Sequence, residues 1–388
     1  MLVRNVLVIL LIEIAGDIYN MKKPISLFKV AMSEHVSSPL LKTIHSGWIG
    51  QGPRVTEFEE DLSAKFNNKN CLTLSAGTHG LSLALKMIGV GPGDEVIATP
   101  LTCTATNMPI LMRGAHVVWA DIKDDINIDP VSIRERITDR TKAILFVHWG
   151  GYPADLEEIR NIGREFGIPI IEDAAHCYGS TYKDSVIGDC KYSDFAMISF
   201  QAIKHLTCVD GGVLFTNSEK TYKRGKLLRW YGIDRETPRD DFRCEEDIVE
   251  FGDKWHMNDV NATIGLSNMA LADRNVQIAR DNAKYYDKML DGMSGVRVVQ
   301  NSLDRLSSYW LYTILVEDRS DFCHMMGIRG VSVSRVHERN DLHTCMNRFG
   351  RELPNLEEVM KQYICIPVGW WVTEEDRYSI VSAIEEGW

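Results

Sequence analysis

Between about residues 55 and 220 the chain alternates stretches of helical period with short apolar runs, and no other feature limits its fold as much. Residues 57–66, 81–88 and 156–166 repeat hydrophobics at the 3.6-residue spacing of a helix lying on a core. Between them lie short apolar runs at 95–99, 143–147 (AILFV), 168–171 (IPII), 196–200 and 213–216. Runs apolar at nearly every position belong to strands buried on both faces. Strands separated by helices mean βαβ units and a largely parallel sheet covered on both sides. In such sheets ligands sit beyond the carboxyl ends of the strands, so those ends are where chemistry is to be sought.

After residue 270 the pattern changes. A helical stretch covers about 260–290, strand-like pieces follow at 296–299 and 312–316, and a terminal helix begins near Glu374. The chain therefore reads as an extension over 1–24, a large α/β domain over 25–270 and a smaller C-terminal α+β domain over 271–388. The extension holds one apolar run, 6–12 (VLVILLI), broken by Glu13 and too short to span a bilayer. Met21, followed by Lys22 and Lys23, reads as the natural start; the rival reading is a targeting or anchoring segment.

Composition excludes some classes of function. The net charge is −11 with no Lys/Arg-dense run, which speaks against nucleic acid as a partner, because phosphate binding needs a concentrated basic surface. The nine cysteines are scattered and contain no C-x-x-C pair. A disulfide framework or a metal site is not expected, and most of these thiols read as small buried hydrophobes of a cytoplasmic protein.

Three constellations carry chemistry. The first is Glu172-Asp173-Ala174-Ala175-His176, directly after the apolar run 168–171. A carboxylate buried at a strand end must be paired or strongly hydrogen-bonded; the plain alternative is a helix N-cap. The second is Ser199-Phe200-Gln201-Ala202-Ile203-Lys204, leading to Gly211-Gly212. A lysine among apolar neighbours at a strand end has a lowered pKa and serves as a Schiff-base nucleophile; the alternative is an exposed loop lysine. The third is Ser75-Ala76-Gly77-Thr78-His79-Gly80, opening a helix. Free amides at a helix start, with glycine allowing close approach, bind anions; many helices also start with small residues and bind nothing. Together they are more specific than apart. An anion loop, then a carboxylate at a strand end, then a lysine at another strand end are the elements that pyridoxal 5′-phosphate (PLP) requires.

In these motifs the chain resembles the DegT/DnrJ/StrS family of nucleotide-sugar aminotransferases, of PLP fold type I (aspartate aminotransferase-like). The resemblance runs from about residue 26 to 376. It also rests on Ser46-Gly47-Trp48-Ile49-Gly50-Gln51-Gly52-Pro53 with Phe58-Glu59, on Tyr152-Pro153-Ala154-Asp155 and on His256-Met257-Asn258-Asp259. It implies that Lys204 carries the cofactor and moves a proton between substrate and cofactor carbons. It implies that Asp173 keeps the ring nitrogen protonated, that Gly77 and Thr78 bind the phosphate together with Ser199, that His79 in the same loop as Gly77 is a further cofactor-binding residue, and that His176 and Gln201 line the pocket. The expected reaction moves an amino group from glutamate to a nucleotide-linked keto-deoxy sugar, at C4 of a 4-keto-6-deoxyhexose. A homodimer with shared active sites is implied, with a phosphate contact from the neighbour near Lys254.

The sequence departs from the family in two places. Cys103 stands where the family has an aromatic residue stacked on the cofactor ring. Lys254 stands where an asparagine is usual, offering a charge in place of an amide; the alternative is a plain surface lysine. Relatives with histidine at the lysine position dehydrate their sugars, and a PLP-dependent dehydratase is one rival reading, against which Lys204 speaks. A PLP-binding sensor without turnover is another. His148, Trp149, Trp370, Trp371, Arg335 and His337 are weaker candidates, each with a packing role as its alternative.

Overall fold

Seven strands form the central sheet of the computed structural model, which describes residues 24–238, 247–299 and 302–388. The extension expected over 1–24 lies, up to residue 23, outside the described residues. The strands of the chain are β1 (Cys71–Leu74), β2 (Glu95–Ala98), β3 (His116–Trp119), β4 (Thr141–Val147), β5 (Ile170–Asp173), β6 (Thr181–Tyr182), β7 (Ser185–Val186), β8 (Phe195–Ser199), β9 (Gly212–Thr216), β10 (Val296–Val298), β11 (Arg305–Leu306), β12 (Tyr312–Val316) and β13 (Tyr363–Ile366). The central sheet has the order β1-β9-β8-β5-β4-β2-β3. All its neighbours pair in parallel except β9, which is antiparallel to both β1 and β8. The carboxyl ends of six strands therefore share one edge, and Gly212, the first residue of β9, joins them there.

Both faces of this sheet are buried, as the apolar runs require. Ile144, Phe146, Ile170 and Ile198 enter one core, while Leu145, Ile171 and Met197 enter the other. Consecutive residues point to opposite faces of a strand, so a strand in the middle of three layers must be apolar throughout. Each such side chain contributes about 1.5–3 kcal/mol of burial. The helices Gly77–Ile88, Thr104–Met112, Pro130–Arg136 and Leu156–Phe166 lie in the crossovers, and Gly89 ends the first with φ +83°, a left-handed C-cap that suits glycine.

Two carboxylates tie the outer elements to the sheet. Asp259 opens the long helix Asp259–Leu290 and is fully buried. Its carboxylate accepts from the amides of Gly52, Arg54 and Val55 at 2.8, 3.1 and 3.1 Å and so caps the helix Pro53–Lys65. Two motif stretches far apart in sequence, 46–53 and 256–259, meet here. Glu59, in that same helix, accepts from the amide and hydroxyl of Thr73 at 2.8 Å each and from buried Arg229, fixing the edge strand β1.

The chain after the long helix builds a second, three-stranded antiparallel sheet, β10-β12-β13. Its core joins Tyr312, Ile314 and Ile366 to Tyr286 of the long helix and to Ile380 and Ile384 of the terminal helix Glu374–Glu385. No helix among the described residues is long and apolar enough to cross a membrane.

Candidate active site

Asp173, Lys204 and the glycine-bearing loop all come to the shared strand-end edge. Asp173 is the last residue of β5, two residues further into strand than the run 168–171 suggested. No helix begins at Asp173 for it to cap. Its side chain is 3% exposed; one oxygen accepts from the Thr106 hydroxyl at 2.6 Å and the other from the Ala175 amide at 3.1 Å. Burial pushes this carboxyl above the usual range, opposed by the Thr106 hydroxyl, the Ala175 amide and the nearby Lys204.

Lys204 lies in the turn after β8, the strand hydrogen-bonded beside β5. That turn is set by its own polar groups: the Gln201 amide donates to Ser199 Oγ at 3.3 Å, Gln201 Oε1 accepts from Ile203 N at 3.1 Å, and Lys204 N donates to Gln201 O at 2.9 Å. Gln201 is exposed and closes this turn. The Lys204 amine stands 3.5 Å from the centroid of the Trp310 ring. Burial pulls it down to about 8, opposed by the Asp173 carboxylate. It is not a solvated loop lysine.

The anion loop follows β1. The helix starts at Gly77, so its first amides point free toward the strand-end edge. A Cβ on Gly77 would stand 2.9 Å from Met197 Sδ and 3.1 Å from Ser199 Cβ, and one on Gly212 would stand 2.7 Å from Gly77 Cα. Only bare backbone lets this helix start close against Ser199. His79 accepts or donates through Nδ1 to Ser75 Oγ at 2.9 Å and stacks on Trp255 with centroids 5.8 Å apart; burial lowers its pKa. Ser75 is held in turn by Trp255, whose carbonyl accepts its amide at 2.7 Å.

Three imidazoles surround the lysine. His176 is 2% exposed, stacks on Trp310 at 3.9 Å, and keeps a buried Nδ1 without a hydrogen-bond partner. His205 and His337 each have a buried, partnerless Nε2. Burial holds all three uncharged, His205 and His337 at about 4 and His176 well below its ordinary value. Cys103 is partly exposed at the start of the helix Thr104–Met112, near enough to bear on the charge of Lys204.

The other candidates fall elsewhere. Lys254 is exposed, bridges to Trp230 in the backbone, and has its amine 5.7 Å from that ring, with no carboxylate partner among the described residues. His148 is fully buried; Nδ1 accepts from Ala154 N at 3.0 Å and Nε2 lies 2.8 Å from Glu172, so both ring nitrogens are satisfied structurally. Trp149 donates to Thr313 in the core, and Trp371 donates to Ser26 O. Arg335 pairs with Glu338 at 2.7 Å. Two contributors escaped the sequence reading. Thr106 carries no signal beyond lying one turn past Cys103. Trp310 stands two residues before the strand-like piece 312–316, in an aromatic run that reads as packing.

A buried carboxylate, a lysine of lowered pKa and a close-packed helix start on one edge of a mostly parallel sheet define a PLP enzyme of fold type I. The chain belongs to the DegT/DnrJ/EryC1/StrS aminotransferase family, whose model it matches over residues 31–385. Among solved structures it is similar to AtS13 from Actinomadura melliaura, with 40% identity, a TM-score of 0.91, and coverage of 95% of this chain and 100% of the other. It is also similar to the sugar aminotransferase CalS13 from Micromonospora echinospora, with 35% identity, a TM-score of 0.89, and coverage of 94% and 100%. A third is Spr1654 from Streptococcus pneumoniae, solved in a PLP form at 26% identity and a TM-score of 0.85, covering 94% and 98%, and also in a PMP form. The enzyme is a PLP-dependent sugar aminotransferase.

The residues present fit that cofactor. A buried anion stands ready for a cationic ring nitrogen, an unpartnered buried imidazole nitrogen for a ring substituent, and a helix start packed against a serine for a phosphate. The lowered lysine gives a pH dependence. The neutral amine is the nucleophile. At pH 7 an amine titrating near 8 is neutral in roughly 10% of molecules, against roughly 0.04% for an ordinary lysine. The rate at which cofactor-free protein captures PLP, followed by stopped-flow absorbance, therefore rises with pH and levels off just above 8. A rate that keeps climbing to pH 10 would show a solvated lysine instead.

Proposed function

We propose that the enzyme transfers the amino group of glutamate to a nucleotide-linked keto-deoxy sugar, at C4 of a 4-keto-6-deoxyhexose, with Lys204 as the group that holds the cofactor and carries the proton. The observation that supports this most is the Lys204 amine, lowered to about 8 and standing with buried Asp173 on adjacent strand ends. PLP, when bound, supplies an aldehyde that a primary amine captures and a ring that accepts electrons.

The chain's residues divide the remaining work. Asp173 holds the proton on the ring nitrogen. The amides of Gly77 and Thr78 and the hydroxyl of Ser199 bind the phosphate, and His79 braces that loop through Ser75. His176 Nδ1 bonds a ring substituent. Gln201 shapes the turn that aims Lys204, and Cys103 borders the ring. Lys204 takes a proton from the substrate carbon and returns it to the cofactor carbon. The two half-reactions share one pocket, which fits ping-pong kinetics.

The same reading includes a homodimer with shared sites. Glutamate brings two carboxylates, while the imidazoles around Lys204 are uncharged, and a cation from a second copy would balance them. Lys254 of that copy is the candidate, as a phosphate or carboxylate ligand. Support comes from the apolar surface around the start of the long helix, where Leu41, Trp48, Ile49 and Val209 are each more than half exposed. A division into a large part over 25–270 and a small part over 271–388, and a cytoplasmic location, belong to this proposal as well.

The test is direct. Purified enzyme, PLP, glutamate and a nucleotide-linked 4-keto-6-deoxyhexose should yield 2-oxoglutarate and a 4-amino sugar, identified by NMR. A 3-amino product would overturn C4, and a cofactor band that ignores glutamate would overturn the donor.

A further inference from the structure

We propose that Trp310 is a positioning residue for Lys204, its indole face holding the protonated lysine amine while that amine is not bonded to the cofactor. This rests on the aminotransferase reading above and adds a residue to it. The amine stands 3.5 Å from the ring centroid, within the range where an ammonium is attracted to an aromatic face. Trp310 is 6% exposed and cannot swing freely. Its indole N–H donates at 2.9 Å to the carbonyl of Ile203, the residue before Lys204, so ring and lysine turn are fixed to each other. His176 stacks on it at 3.9 Å and Phe28 at 5.2 Å. The preceding segment is fastened to the rest of the protein: Arg280 donates to Ser307 O at 2.9 Å, and Ser308 Oγ donates to His176 O at 2.6 Å.

The chemistry needs such a surface. With PLP bound, the substrate's Cα–H bond would break with its electron pair drawn toward the cofactor, and Lys204 would take the proton in a new N–H bond. The lysine is then an ammonium in a partly buried site, which desolvation disfavours. The three neighbouring imidazoles are uncharged. Asp173, Cys103 and Cys177 also face the amine; the Asp173 carboxylate opposes the penalty from a distance, its two oxygens already held by Thr106 and Ala175. A carboxylate against the amine would trap the proton. An indole face stabilises the ammonium more weakly, so the proton can be handed on to the cofactor carbon.

The test compares Trp310→Leu and Trp310→Phe with wild type, as holoenzyme and after removal of the cofactor. In the cofactor-free protein, Lys204 is titrated by the pH dependence of its labelling with a small amine reagent, read by mass spectrometry. The leucine variant should titrate lower by about half to one pH unit, with the phenylalanine variant between it and wild type. In the holoenzyme the glutamate half-reaction should slow about tenfold in the leucine variant. Its α-deuterium isotope effect should rise while KM for glutamate stays within about twofold. An unchanged or raised Lys204 titration in the leucine variant, or an unchanged isotope effect, overturns the assignment. Should the leucine variant fail to fold, the phenylalanine variant decides by the same signs at smaller size. A wild type that ignores glutamate would sink the aminotransferase reading, while the cofactor-free titration would still decide for or against Trp310.

Discussion

Lys204→Ala should abolish turnover, a loss on the order of 10⁴ or more, while the protein still folds and still binds PLP reversibly. A positioned acid–base group alone contributes about 10²–10⁴ in rate, and in the proposed role this lysine is also the covalent anchor. The rest of the pocket does not depend on it. Asp173 keeps its bonds to Thr106 and Ala175, and the helix start at Gly77 is packed by Ser199 and Gly212. The variant should therefore release its PLP on dialysis where wild type retains it. Lys204→Arg discriminates between charge and proton transfer. Arginine keeps the charge and much of the length but cannot be deprotonated, so it should be as inactive as alanine. Rates in single-turnover absorbance measurements check both. An arginine variant with a tenth or more of wild-type activity would mean that the amine does not carry the proton.

Five strands of the central sheet were legible in the sequence, because β2, β4, β5, β8 and β9 are apolar runs between helical stretches. β1 and β3 are not in that reading. Thr73 interrupts Cys71–Leu74, while His116–Trp119, apolar from Val117 on, carries the same pattern as Glu95–Ala98 and was open to the same reading. The strand read at 168–171 begins at Ile170 instead. The Ile168 amide is spent on Gly163 O at the end of the preceding helix, and Pro169 has no amide to give a ladder. That shift puts Asp173 inside the strand, where neighbours on both sides bury it. Lys204 could be found because its neighbours, the strand before it and the glycines after it are local signals. Trp310 could not. It reaches Lys204 only through the path of the long helix and the second sheet, and in an aromatic-rich stretch its side chain reads as packing. Geometry likewise decided between the readings of His148, whose two satisfied nitrogens leave it nothing to offer a ligand.

Asp173→Asn should lower both half-reactions by about 10²–10³ while leaving the fold and the hold on the phosphate in place. Removing one preorganised group that stabilises charge in a water-poor site costs about that much. Asparagine keeps an oxygen for the Thr106 hydroxyl and nearly the same volume, so packing is not the cause of the loss. What it removes is the negative charge that, in the proposed role, keeps a ring nitrogen protonated. Because burial raises the Asp173 carboxyl and the Thr106 hydroxyl opposes that rise, Thr106→Val supplies a graded version of the same experiment. Valine cannot donate, so the charged carboxylate loses a partner and its pKa climbs further. The ionised form is the active one, so activity should begin to fall at a higher pH than in wild type as the solution is acidified, with little change on the alkaline side. Single-turnover rates with glutamate from pH 5 to 9 measure this. An acid limb that stays in place in Thr106→Val would mean that Asp173 does not act through its charge. An asparagine variant with near wild-type rates would remove Asp173 from the chemistry altogether.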